Sequence, residues 1–273
     1  MSDQHENRLS AAEEEEVEEL AAPRAPVIYE VVRRQGEEEL RRPAGSLFWS
    51  GIAGGMAIML SVIGQGAVLY RLPPGLPWRE AVSDFGYSLG FIIVVLGRMQ
   101  LFTEQTIVAV LPLMAAPMWY RFAIVARLWA IVLVANMIGT LIAACIIVWC
   151  PIVDPPLLTA MLGVARHMLD GTPLDLLMRG VPAGFLIAAV AWIRAGTAGA
   201  DFWIVLTLTS AIALGNFTHV VAGAAETFLL LVDGQVGVVH ALGAIILPVM
   251  IGNIIGGTGL FALLAHAQVR QEL

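Results

Sequence analysis

Six stretches of the chain are almost continuously apolar, and each is long enough to cross a lipid bilayer. A membrane-spanning helix needs about 20 apolar residues. The windows that meet this length are residues 47–69, 83–116, 122–150, 173–194, 201–232 and 237–266. The pattern therefore predicts an all-α polytopic membrane protein with six transmembrane helices, three in each half of the chain.

The second and fifth windows are unusual, because each is too long for one span and carries polar residues near its centre. The second contains the sequence GRMQLFTEQT at residues 97–106, and the fifth contains GNFTH at residues 215–219. Each is the middle member of its half, and matching interruptions in two halves indicate an inverted repeat with the substrate path at its interface. Non-helical backbone at this depth survives only inside protein or along a cavity. We therefore expect a 3+3 inverted repeat whose two middle helices are broken.

Composition agrees with a membrane protein that carries a polar tail. The chain is 58% hydrophobic and 14% charged, far below the roughly 25% charged content of soluble domains. Residues 1–46 hold 12 of the 22 acidic and 6 of the 15 basic residues. We expect an acidic, largely disordered tail over residues 1–46, a transmembrane domain over 47–266 and a short C-terminus over 267–273. Nothing in this balance suggests a nucleic-acid partner.

The tail has two features of its own. Its acidic run at residues 13–16 is typical of a solvated segment. Apolar residues then recur at helical spacing among arginines between Val27 and Leu40, which fits a short amphipathic helix at the membrane surface. Eight arginines flank one side of the six predicted spans and four flank the other, so the positive-inside rule places both termini in the cytoplasm. We expect the protein to lie in the inner (cytoplasmic) membrane.

His219 is the histidine that falls in the middle of a broken span. An imidazole gives or takes a proton near neutral pH, so a proton exchange inside a pore is one interpretation. The alternative is a neutral core histidine bonded to a carbonyl that the break has freed. Residues alone leave both interpretations open.

Arg98, Glu104 and Glu226 are the other charged residues at membrane depth. An unpaired charge at a helix centre costs about 2.5 to 3.5 kcal/mol, so these groups should pair or face water. One interpretation is a salt bridge of Arg98 with Glu104 or Glu226, and the other is an entrance field that acts on a charged solute. A metal site at His219 and Glu226 lacks a third ligand at useful spacing. We therefore expect no metal, no cofactor and no enzymatic activity.

Four blocks of sequence resemble the formate/nitrite transporter family. The blocks are YSLGF (87–91) with LFT (101–103), ANMIG (135–139), GNFTHVVA (215–222) and LPVMIGNIIGG (247–257). They are similar to the family's second helix with its mid-membrane loop, its third helix, its broken fifth helix and its sixth helix. The resemblance covers about residues 47–266 and is closest to the branch called YfdC-like.

The resemblance implies an aquaporin-like protomer that assembles as a homopentamer among membrane lipids, each protomer with its own narrow pore. It implies passage of formate, nitrite or similar small monovalent weak-acid anions, with His219 exchanging a proton with the anion and Thr103 as its loop partner. The residues implied at the apolar constrictions are Leu101, Phe102, Phe91, Tyr87 and Ile212. A bare anion is strongly disfavoured in such a constriction and its neutral acid is not, so flux should depend on pH.

The chain departs from the family at several positions. Gly184 and Gly223 stand where typical members have asparagine, and Met168 stands where they have a vestibule lysine.

Two other functions stay open. One is an aquaporin-like channel for neutral solutes, which is disfavoured because the paired Asn-Pro-Ala loops are absent. The other is a non-conducting sensor or scaffold, suggested by the charges at membrane depth and the acidic tail.

Overall fold

The computed structural model describes residues 9–10, 13 and 21–272, and this part of the chain is helical with no strand. Residues 1–8, 11–12 and 14–20 of the predicted tail, including its acidic run apart from Glu13, lie outside the described residues. The sequence predicts a largely disordered tail over residues 1–46, but residues 25–41 of it form a helix. The helices are α1 (Ala25–Arg41), α2 (Ala44–Arg71), α3 (Arg79–Gly86), α4 (Ser88–Leu96), α5 (Gln105–Val108), α6 (Leu111–Ala115), α7 (Trp119–Trp149), α8 (Pro155–Ala165), α9 (Pro173–Ala195), α10 (Asp201–Leu214), α11 (Val220–Val232) and α12 (Val238–Val269).

Four of these helices are long and apolar enough to cross a membrane. Helices α2, α7, α9 and α12 have 28, 31, 23 and 32 residues, and they fall on the first, third, fourth and sixth predicted windows. The second and fifth windows are divided into shorter helices. The first break, residues 97–104, separates α4 from α5, and the second break, residues 215–219, separates α10 from α11. The second segment that the sequence marks as interrupted, residues 215–219, is therefore non-helical throughout, and the first, residues 97–106, is non-helical up to residue 104.

Each break begins with the same backbone turn. Arg98 and Asn216 have φ angles of 52° and 51°, and they are the non-glycine residues with positive φ in the described part of the chain. In both breaks the N–H of the following residue donates to the carbonyl five residues before it, over 2.9 Å. This is the Schellman pattern that ends helices, usually with glycine at the left-handed position. The preceding helix is thus stopped by a defined turn at the same place in each half.

Glycines allow the long helices to approach closely where they support the breaks. Helix α2 packs along α7, and α9 packs along α12. Gly55 of α2 lies against the backbone of Asn136, and Gly184 of α9 lies against the backbone of Asn253, so that a Cβ at either glycine would collide with the facing main chain. Small residues at such contacts are typical of helices packed in membranes.

Helix α1 packs on the helical bundle through its apolar side. Tyr29 and Val32 are fully buried, and the Tyr29 hydroxyl lies 2.8 Å from His266 Nδ1 near the end of α12. Glu37 pairs with Arg121 at the start of α7 over 2.9 Å. The sequence predicts an amphipathic helix here, and the structure places its apolar side against protein. Helix α1 also reaches the first break, because Glu39 accepts a hydrogen bond from the Gln100 side chain.

Candidate functional site

Thr103 and His219 meet where the two breaks approach each other. Thr103 Oγ1 lies 2.6 Å from His219 Nε2, and the two residues are 0% and 1% exposed. Thr103 belongs to the first break, and His219 is the N-cap residue of α11 at the end of the second. Two residues separated by 116 positions, both expected at the site from the sequence, are therefore directly hydrogen-bonded.

The protein backbone sets which nitrogen of His219 carries the proton. The Ala222 N–H donates to His219 Nδ1 over 3.2 Å. A neutral imidazole has one donor and one acceptor nitrogen, so its proton lies on Nε2, which donates to Thr103 Oγ1. The Thr103 hydroxyl hydrogen is then free to turn towards a solute. A second proton on Nδ1 would remove the bond from Ala222.

The five residues expected at the constrictions are all buried, between 0% and 5% exposed, and we call them the apolar layer: Tyr87, Phe91, Leu101, Phe102 and Ile212. The Phe91 ring meets the His219 ring edge-on with centroids 5.0 Å apart, and the Tyr87 ring lies 5.0 Å from Phe91. The Phe102 ring packs edge-on against Trp129 of α7 at 5.7 Å. Such a layer opposes the passage of a bare charge, because it offers little to replace water of hydration.

Asn136 of α7 holds the first break in place. Its Oδ1 accepts a hydrogen bond from the Phe102 N–H over 2.9 Å, and its Nδ2 donates to the carbonyls of Gly51 and Gln100 over 2.8 and 2.9 Å. The side chain is fully buried. Backbone groups in a break lack helical partners and must be satisfied by protein at this depth. The amide of Asn136 supplies that satisfaction.

Asn253 of α12 does the same at the second break. Its Oδ1 accepts from the Val220 N–H over 2.8 Å, and its Nδ2 donates to the carbonyls of Gly180 and Thr218 over 2.8 and 2.9 Å. Both asparagines lie within the blocks that resemble the family, and sequence position alone gave them no role. The feature of the sequence that could have indicated this role is a polar amide side chain within the third and the sixth apolar windows, the last window of each half.

The proximal vestibule is a cavity of about 220 Å³ on the side of the breaks that carries α1. Its ionisable lining residues are Glu38, Glu39, Arg98, Glu104, Arg194 and Asp201. Glu39 accepts a hydrogen bond from Gln100 Nε2 over 2.9 Å, which ties α1 to the first break. The cavity therefore ends at the polar residues that open the first break.

The expected ion pair of Arg98 with Glu104 or Glu226 is wrong for the part of the chain that the structure describes. Glu104 instead pairs with Arg194 at the end of α9, with 3.7 Å between Oε1 and Nη1. Glu226 faces a different cavity. Arg98 occupies the left-handed turn that stops α4, and its exposed side chain lines the proximal vestibule. The sequence did not show that Arg98 and Glu104 line one cavity without pairing, or that Glu226 lines another.

The distal vestibule is a cavity of about 500 Å³ on the opposite side of the Thr103–His219 pair. His219, Gly223 and Glu226 line it from α11. Glu226 is 2% exposed, and its Oε2 lies 3.7 Å from Nε2 of His167, whose side chain is 32% exposed. The other acidic lining residues are Glu80, Asp84 and Asp170, and no lysine or arginine is among the described residues that line the cavity.

A metal centre is not apparent in the described residues. They contain no group of three or more histidine, cysteine, aspartate or glutamate side chains placed to hold a metal ion. Cys145 and Cys150 are both free.

Comparison with known sequences agrees with the resemblance found in the motifs. The model of the formate/nitrite transporter family matches residues 26–267. The inner membrane protein YfdC of Escherichia coli (strain K12) is 36% identical over 279 residues, covering 99% of this chain and 90% of that protein. The uncharacterized transporter YrhG of Bacillus subtilis (strain 168) is 27% identical over 238 residues, covering 84% of this chain and 87% of that protein.

Comparison with solved structures shows the fold. An FNT family ion channel superposes with a TM-score of 0.73 at 19% identity, covering 88% of this chain and 98% of that one. A pentameric formate channel with formate bound superposes with a TM-score of 0.70 at 19% identity, covering 84% of this chain and 98% of that one. The all-helical fold described above is the fold of these channels.

Proposed function

The chain belongs to the formate/nitrite transporter family, and we propose that it conducts small monovalent weak-acid anions, such as formate or nitrite, across a membrane. The observation that carries the proposal is the hydrogen bond between Thr103 and His219. It lies inside an apolar layer between two polar vestibules, so it offers the polar groups that a small solute would meet at the narrowest point.

The proposed pore lies at the interface of a six-span inverted repeat. The paired turns at Arg98 and Asn216 support this arrangement, because each ends the first part of a broken middle span. The paired asparagines support it further, since Asn136 and Asn253 each bond one carbonyl of a neighbouring long helix together with one carbonyl and one N–H at a break. Equivalent contacts in the two halves are what an inverted repeat requires.

Proton exchange at His219 makes the proposed flux pH-dependent. A monovalent anion that gains a proton becomes a neutral acid, which crosses an apolar layer at far lower cost than the anion does. The Nε2–H of His219 and the Thr103 hydroxyl are the polar groups in contact with the layer. Tyr87, Phe91, Leu101, Phe102 and Ile212 form the constrictions in this proposal.

The proposed assembly is a homopentamer in the inner membrane with both chain termini in the cytoplasm. The related solved channel is described as pentameric, and the Escherichia coli relative is described as an inner membrane protein. The surface of the single protomer exposes large apolar side chains, among them Trp49 at 69%, Trp149 at 71% and Trp203 at 66%. Neighbouring protomers and lipid would cover these side chains.

A flux panel tests the proposed substrate class. The full-length protein is reconstituted into liposomes, and uptake of formate, nitrite, acetate and hydrosulfide is measured at mildly acidic and at neutral pH. We expect uptake of at least one of these anions above that of protein-free liposomes, with faster uptake at the acidic pH. Water or glycerol flux that exceeds every anion flux would favour a neutral-solute pore. Failure of every solute to cross, with pentamers intact, would favour a sensor or scaffold.

A further inference from the structure

We propose that Glu226 and His167 form a proton-loading site in the distal vestibule, where a weak-acid anion is protonated before it enters the apolar layer. The inference rests on the proposed function and adds the group that supplies the proton. Neither residue takes part in the Thr103–His219 contact or in the packing of the constrictions.

The carboxyl of Glu226 is buried with very little compensation. It is 2% exposed, and among the described residues no side chain or backbone N–H donates a hydrogen bond to it. Its one ionic partner is His167, at 3.7 Å. A buried carboxylate without donors is costly, and a bound proton removes that cost. The geometry therefore suits a group that takes up a proton and gives it away again.

Glu226 and His219 open onto the same space. Residues 219, 223 and 226 lie on one face of α11 and line the distal vestibule together. Gly223 stands between the two ionisable residues and has no side chain to block the space. Glu226 lies seven positions after His219, about 10 Å along the helix axis. This is too far for direct proton transfer between the two side chains, so the solute must carry the proton from Glu226 towards His219.

His219 in its neutral state can exchange its one proton with a solute, but it cannot supply a net proton to an anion. Its Nε2 proton is donated to Thr103, and its Nδ1 is occupied by the Ala222 N–H. A proton must therefore arrive from elsewhere before the anion can cross as a neutral acid. His167 connects this requirement to bulk water, because its side chain is 32% exposed while it faces Glu226.

The charges around the cavity favour protons over anions. Glu80 and Asp84 of α3 and Asp170, which follows His167, face the same space. Helices α2 and α8 contribute only uncharged lining residues. A cleft lined by negative charge raises the local concentration of cations, including protons, and lowers that of anions. An anion that enters this vestibule thus meets a raised concentration of protons, and the neutral acid is the form that leaves it for the apolar layer.

The proposed step balances without a further reactant. The O–H bond of the Glu226 carboxyl breaks and an O–H bond forms on the anion, which leaves a Glu226 carboxylate and a neutral acid. The carboxylate then regains a proton from distal water by way of His167. The neutral acid moves on to the Nε2–H of His219 and the hydroxyl of Thr103.

The test compares Glu226→Gln with the unmodified protein in liposomes, using formate as the probe. The glutamine has the same shape and cannot donate the proton. We expect formate uptake to fall about 100-fold at the pH of fastest uptake, the effect of losing a positioned proton donor, and to lose most of its pH dependence. Asp154→Asn removes one charge at an exposed position that does not line the cavity, and it should leave the pH profile unchanged.

Additional solutes and variants distinguish failure of the proton-loading site from failure of the proposed function. Formamide, a neutral analogue of formic acid, should cross the Glu226→Gln variant as fast as it crosses the unmodified protein. His167→Gln should shift the pH profile of formate uptake, and it decides the question if Glu226→Gln does not assemble. An unchanged pH profile in both variants overturns the inference while leaving the proposed function intact. Absence of anion flux in the unmodified protein overturns the proposed function itself. Uptake of methylammonium in preference to formate would instead make the acidic vestibule a cation site and overturn the inference.

Discussion

Replacing Asn136 by alanine should strongly destabilise the first break. The change removes three hydrogen bonds of a fully buried side chain. Two of the partners, the Phe102 N–H and the Gln100 carbonyl, lie in the break and have no other backbone partner. Each buried polar group left unsatisfied costs about 1–3 kcal/mol, so we expect the free energy of unfolding to fall by about 2–6 kcal/mol. That is a large share of the roughly 5–15 kcal/mol that stabilises a typical native protein.

Detergent-induced unfolding in mixed micelles measures this loss. Tryptophan fluorescence is a suitable signal, because Trp129 packs against Phe102 and donates to the Gln105 carbonyl over 3.0 Å. Thr140→Val on the same helix is the matched control, since the Thr140 hydroxyl bonds only carbonyls of its own helix and its loss should cost no more than about 1 kcal/mol. A cost for Asn136→Ala no larger than that of the control would refute the role given to this amide.

The remaining predictions concern a turn, an ion pair and a helix contact. Arg98→Gly should raise the free energy of unfolding by about 1 kcal/mol, because glycine adopts the left-handed conformation without the steric cost that other residues carry; the same unfolding assay measures it. Hydrogen bonds from Arg33 and Arg34 hold the pKa of the Glu30 carboxyl at about 2, below the usual 4.5. Its contribution to stability is therefore present above pH 4.5 and is lost as the pH falls towards 2, and Glu30→Gln should abolish this acid dependence in hydrogen exchange of α1. Gly184→Asn, which introduces the residue typical of the family, should destabilise by about 1–3 kcal/mol because its Cβ would collide with the backbone of Asn253; thermal unfolding checks this.

The positions of the breaks could be predicted because they violate a simple physical rule. A bilayer excludes charged and polar side chains from a continuous apolar helix, so residues 97–106 and 215–219 stood out within windows too long for one span. The structure leaves residues 97–104 and 215–219 outside helices. Membership of the family, inferred from four sequence blocks, and the all-helical fold, inferred from the apolar windows, are confirmed by the comparisons.

The tertiary partners of polar residues could not be predicted in the same way. Asn136 lies in an apolar window, and its sequence position does not reveal that it faces a break 34 residues away. Glu104 pairs with Arg194, which in the sequence is only one of the arginines that flank the predicted spans. The partner of a charge depends on where the backbone turns, and the left-handed turn at Arg98 is not visible in residue type.

Two departures from the family lie against each other in the structure. The Sδ and Cε atoms of Met168 pack beside Gly223, where a Cβ would approach the Cε to 2.8 Å. A larger residue at position 223 would require Met168 to move. The sequence shows both residues as separate departures from the family pattern, because only the fold brings the turn after α8 against α11. The residues at positions 168 and 223 of the distal vestibule are therefore linked, because the size of one limits the size of the other.

Formate uptake into liposomes across a pH series, with the unmodified protein and with His219→Ala, tests the central claim most directly. Assembly of the variant is checked beforehand by its elution as the same oligomer. We expect the unmodified protein to take up formate faster as the pH falls, and the variant to lose most of that dependence because no imidazole faces Thr103. Uptake by His219→Ala that keeps both the rate and the pH profile of the unmodified protein would contradict the role of His219 as the proton-exchanging group of the pore.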